Sequence, residues 1–123
     1  MKYILAILIA LSAFFANSCN EKQQLACTME FRIVTITCNR DSLEHYYTIR
    51  ELTGDTIRIS GGNLIGDKVY PVLDDNFQPT LSGRTEVFHF QGTINDSIVV
   101  NEPFVIKADQ CHIEYVSGNQ VVN

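Results

Sequence analysis

Asp109-Gln110-Cys111-His112 places a carboxylate, a thiol and an imidazole within four residues, the ingredients of a thiol nucleophile with its base or of a metal site. The spacing argues against both. Adjacent residues of an extended strand face opposite ways, so Cys111 and His112 cannot serve each other as nucleophile and base. No two cysteines have the short spacing of a structural zinc site, and no two histidines stand four apart on a helix. His45, His89 and His112 are therefore read as isolated imidazoles. His45, between Leu43 and Tyr47, reads as a satisfied core or boundary residue, and His89, between Phe88 and Phe90, as one that meets solvent or a sheet edge. An enzyme would need one of the three to meet an acidic residue in a cleft, which spacing alone does not show.

The carboxylates and tyrosines give weaker signals. Asp74-Asp75-Asn76 has the look of a calcium-loop fragment but lacks alternating ligands and a terminal glutamate, so it reads as a solvated turn. Asp41, Asp55, Asp67 and Asp96 fall where turns want short polar side chains. Tyr46 points away from the expected core face of its strand, and Tyr70 lies in an irregular edge segment, which makes these two the candidates for an exposed contact patch. No catalytic residue, metal site or cofactor is expected.

The amino terminus carries a sharper message. Met1-Lys2 supplies one positive charge, and Tyr3 to Ala16 follows without a charged residue, which is the plan of a secretory signal. These 14 residues fall short of the roughly 20 that span a hydrocarbon core about 30 Å thick. Ala16-Asn17-Ser18-Cys19 then sets a small residue directly before a cysteine. It resembles the lipobox of bacterial lipoproteins, in the looser form of Bacteroidetes, with Ala16 where leucine is favoured. The resemblance implies cleavage before Cys19, a diacylglycerol on its sulfur and an acylated amino terminus. One acyl chain binds a membrane marginally, at about 0.8 kcal/mol per buried methylene, whereas two or more hold durably. The chain then divides into a signal peptide (1–18), a lipidated cysteine with its tether (19–26) and a domain (27–123). The protein is expected to be exported and anchored to the cell envelope, at the outer membrane.

Without the leader, the nine Lys and Arg lose Lys2 and become eight against 14 Asp and Glu, a net charge of −6. That balance excludes the clustered positive surface a nucleic-acid partner needs. With Cys19 assigned to lipid, Cys27, Cys38 and Cys111 remain in an oxidising compartment, an odd number that allows one bridge. Cys27–Cys111 is the expected pair, enclosing 83 intervening residues and worth about 4 kcal/mol by loop closure. Cys38–Cys111 is its rival. Cys38 shares parity with Val34 and Ile36, which reads as a buried thiol.

From Cys27 onward, short runs rich in Ile, Val, Thr, Phe and Tyr alternate with Gly, Asn, Asp and Pro clusters, the pattern of an all-β domain. Strands are expected near 28–38, 44–50, 55–60, 68–73, 84–91, 96–101, 103–108 and 111–117, with a short one at 120–122. Parity places Leu43, His45, Tyr47 and Ile49 on one face as the inward set, with Glu44, Thr48 and Arg50 opposite. It likewise groups Cys111, Ile113 and Tyr115 against His112 and Glu114. Pro71 lacks a donor and marks an edge or irregular strand; Pro103 makes 96–108 either two strands or one broken by a bulge. Seven or eight short antiparallel strands bury their faces most simply as a Greek-key β-sandwich, with a small barrel as the alternative. With no tryptophan in the chain, a prealbumin-like sandwich is at least as apt as an immunoglobulin-like one.

Three segments, Cys27 to Arg32, Tyr70 to Asp75 and Glu102 to Ile113, resemble small Bacteroidetes lipoproteins of unannotated function. Similar sandwiches, among them carboxypeptidase regulatory-like domains, act as structural or binding modules, and the resemblance brings no catalytic residue. It implies a non-enzymatic, lipid-anchored structural or protein-interaction module of the envelope. The alternative is a small glycan- or ligand-binding surface lipoprotein, which should show a concave groove.

Overall fold

A computed structural model describes residues 26–60 and 65–123; the leader, Cys19 and the tether up to residue 25 lie outside the described residues. The strands are β1 (Ile33–Cys38), β2 (His45–Arg50), β3 (Thr56–Ile57), β4 (Val69–Asp74), β5 (Thr85–Ile94), β6 (Ser97–Ala108), β7 (Ile113–Gly118) and β8 (Val121–Val122). Between β4 and β5 run a 3-10 turn (Asp75–Phe77) and a one-turn helix, α1 (Gln78–Leu81). Two sheets form, a three-stranded one in the order β4-β1-β8 and a five-stranded one in the order β3-β2-β5-β6-β7. The chain crosses between them after β1, β3, β4 and β7, so this is the expected all-β Greek-key sandwich. Phe88 and Phe104 lie directly opposite on β5 and β6. With Phe90 and Ile106 they are fully buried and share one core with Val34, Ile36, Val72 and Leu73 of the smaller sheet.

Both prolines sit where a missing donor is tolerated. Pro71 is on β4, an edge strand. Pro103 belongs to one continuous β6 and pairs with His89 of β5, while the ladder to β7 begins one residue later, at Phe104. The register slips by one residue at Gly92/Thr93, where β6 carries the extra Val99, and at Val105/Ile106, where β7 carries the extra Val116. The β5–β6 turn places Asn95 and Asp96 at φ 52° and 60°, left-handed backbone that short polar side chains accept.

The inward face of β2 is the reverse of the expectation. Thr48 and Arg50 are buried and Tyr46 packs against the core, whereas His45 is exposed and Tyr47 and Ile49 are half-buried on the outer face. Polar groups take the inside because partners wait there. Thr48 Oγ1 donates to Val72 O at 2.6 Å, and the Arg50 guanidinium forks onto Glu86 with two 2.7 Å bonds. Outside, Arg58 covers the Tyr47 ring at 5.2 Å and Tyr47 Oη donates to Gln91 Oε1. The parity expected around Cys111 also fails: Ile113 is buried, but Tyr115 is exposed and His112 is buried. Asp109 Oδ1 accepts from the nitrogens of both Cys111 and His112, which makes 109–112 a turn in which strand alternation does not apply.

β7 and β8 act as one strand shared between the sheets. β7 pairs with the second half of β6, and after Asn119-Gln120 the chain continues as β8, parallel to the end of β1. Gly118 makes the crossing: its φ is 137°, and a Cβ there would stand 2.7 Å from Phe104 Cδ1 and 2.8 Å from Pro103 O. Among the described residues, this diagonal closure leaves Ser97–Pro103 of β6 with β5 as its only neighbour.

Candidate functional site

At the end of the sandwich where β6 finishes, two segments far from Asp75 in sequence meet on its carboxylate. Asp75 Oδ2 accepts from the Arg32 nitrogen at 2.8 Å and from His112 Nδ1 at 2.7 Å, and Asp75 Oδ1 accepts from the Ile113 nitrogen at 2.8 Å. Burial works against the charge, yet the two backbone donors and the imidazole outweigh it and hold the Asp75 carboxyl below its ordinary value. An ionised Asp75 keeps the His112 proton on Nδ1. Nε2 meets the Thr28 hydroxyl, 2.9 Å away.

Carboxylate, imidazole and hydroxyl in that order make the relay that activates a nucleophile in hydrolases. Here its three members line none of the clefts of about 130 to 500 Å³ found among the described residues. They join the first residues of the domain to the β4 and β6 ends. The Cys27–Cys111 disulfide, with Cα atoms 5.3 Å apart, closes the same junction next to Thr28 and His112. Gln78 Nε2 adds a 2.8 Å bond to Asp109 O, and backbone donors from His112 and Cys111 hold the Asp109 carboxyl low. The arrangement is a clasp that pins residues 27–32 to the domain. Of the two pairings weighed from sequence, Cys27–Cys111 forms, and Cys38 is a free, buried thiol whose pKa is raised by burial and by Glu102.

Asp75 is the residue that sequence reasoning missed. The solvated turn expected of Asp74-Asp75-Asn76 holds for Asp74, which accepts from the Asn76 nitrogen, but the Asp75 side chain is only 9% exposed. Its partners come from positions 28 to 32 and 112 to 113, so no local pattern announces it. His45 is exposed at the start of β2 instead of lying in the core or at its boundary, because the strand turns its other face inward. His89 meets solvent as expected and lies 3.7 Å from Glu51. Among the described residues, no three His, Cys, Asp or Glu side chains converge to hold a metal.

Tyr46 and Tyr70 do not form an exposed patch. Tyr70 is 8% exposed, its hydroxyl accepting from the Leu43 nitrogen at 2.9 Å, and its ring centroid lies 5.0 Å from that of the half-buried Tyr46. Both tyrosines pack on Phe90. The physical reason is the reversed face of β2, which sends Tyr46 inward over β4. Together the two rings form part of the wall of a cleft of about 500 Å³, whose charged lining is Glu44, Asp67 and Lys68. The clasp and this cleft lie at opposite ends of the sandwich.

No protein-family model, no curated protein and no solved structure matches this chain.

Proposed function

We propose that this protein is an envelope lipoprotein of the kind found in Bacteroidetes, a lipid-anchored module whose role is structural or protein-interacting and which performs no chemistry of its own. The observation that carries this reading is the Cys27–Cys111 disulfide. Such bridges persist in oxidising compartments outside the cytoplasm, where a secretory leader would deliver the chain. Placed immediately after the 19–26 tether, the bridge is where a domain pulled by its lipid would need reinforcement. Exposed Ile98 and Val99, on the part of β6 that among the described residues has a strand neighbour on one edge alone, support an interaction role, since an open strand edge can take a partner's strand.

The Tyr46–Tyr70 cleft favours the second reading, a small glycan- or ligand-binding surface lipoprotein. Intact-mass spectrometry of protein taken from its native membrane, with and without reduction, tests the anchor. The expected mass begins at Cys19, carries acyl chains and gains two hydrogens on reduction. A mature mass without acyl chains sinks the reading.

A further inference from the structure

The position of the clasp decides which end of the domain a lipid anchor would hold. Resting on that anchor, we infer that the sandwich is displayed with the Tyr46–Tyr70 cleft end turned away from the bilayer.

Cys27 is stapled to Cys111, three residues beyond the end of β6, and Arg32 is fixed to Asp75 just beyond β4. β6 runs from Ser97 at the cleft end to Ala108 at the clasp end, and its 12 residues span about 36 Å at roughly 3.3 Å per step. The cleft residues belong to the far end. Lys68 O accepts from the Cys38 nitrogen at the last residue of β1, and the Glu44 nitrogen donates to Thr93 O next to the β5–β6 turn.

Eight peptide steps separate Cys19 from Cys27. Fully extended they reach at most about 29 Å. The leash is shorter than the body it holds, so the domain cannot stand on its cleft end. Without the staple, residues 27–32 could peel away and lengthen the leash, so the disulfide and the Asp75 clasp together set the orientation.

Acylated full-length protein on vesicles containing a headgroup-labelled quencher lipid tests this. A fluorophore is coupled without reductant to a cysteine introduced at the clasp end (Thr80→Cys) or at the cleft end (Asp96→Cys). Quenching at position 80 should exceed that at position 96 by several-fold. Adding Cys27→Ser together with Cys111→Ser, so that no second thiol takes the label, should narrow the gap. Equal or stronger quenching at position 96, with the protein still bound, overturns the orientation and leaves the anchor standing. Failure of the acylated protein to bind vesicles any better than Cys19→Ala overturns the anchor itself, and the orientation falls with it.

Discussion

Oδ2 of Asp75 lies 2.7 Å from Nδ1 of His112, although 36 residues separate the two in sequence. Through this contact the turn after β4 holds the turn before β7, and Thr28 is bound at the ring's far nitrogen.

Acid should loosen this end of the molecule. The Asp75 carboxyl is held below its ordinary value in the folded protein, so its contribution is fully present above the unfolded-state value near pH 4 and is lost as pH falls through the lower folded one. Glu86 is held low by the Arg50 hydrogen bond and acts with the same sign. Urea midpoints taken from neutral pH into acid should therefore decline below about pH 4. Asp75→Asn should be on the order of 2 kcal/mol less stable at neutral pH, with a flatter acid limb. An unchanged acid limb would refute the assignment.

Removing the disulfide should cost about 4 kcal/mol, because the bridge closes a long loop in the unfolded chain. Cys27→Ser and Cys111→Ser should match each other, and both should match the reduced wild type, in chemical denaturation. A wild type equally stable with and without reductant would contradict this.

Cys38 should resist alkylation in the native protein. Its side chain is buried and its thiol pKa raised, both of which keep the reactive thiolate scarce. Iodoacetamide should modify it only as fast as the domain opens, which mass spectrometry across a urea series can follow.

Arg50 and Glu86 should tolerate joint replacement better than separate loss. Each side chain is about nine-tenths buried, and the Arg50 guanidinium lies 5.6 Å from the Phe77 ring centroid. Losing Glu86 strands the Arg50 charge in the interior, and losing Arg50 leaves Glu86 only the half-exposed Arg84 at 3.6 Å, whereas Arg50→Met with Glu86→Leu strands no buried charge. Thermal denaturation of the full cycle should rank both single variants below the double variant.

Gly118→Ala should cost about 2 kcal/mol, since the added carbon meets both Phe104 and the Pro103 carbonyl at a backbone angle that side chains avoid. The loss should appear as faster amide exchange at Thr37 and Asn39, whose nitrogens bond to Gln120 O and Val122 O.

Much of the architecture is legible in the residues. Runs such as Val69 to Leu73 and Phe104 to Ile106 announce strands, Pro71 an edge, and Asp96 a turn, because each depends on backbone preferences that act within a few residues. Burial was less legible. Thr48 and Arg50 look solvent-facing by type, yet they lie inside because Val72 O and Glu86 are positioned to satisfy them, and those partners come from other strands.

What the sequence determined by itself is the all-β class, the strand segments and a cysteine parity that kept Cys38 inside, all consequences of local conformation and of the two-residue repeat. Tertiary structure alone decided which face of β2 turned inward, that Tyr46 and Tyr70 would wall a cleft, and that Thr28, Asp75 and His112 would meet. Those outcomes depend on how two sheets register on each other. That register is set by contacts among residues dozens of positions apart, whose energies no single segment carries.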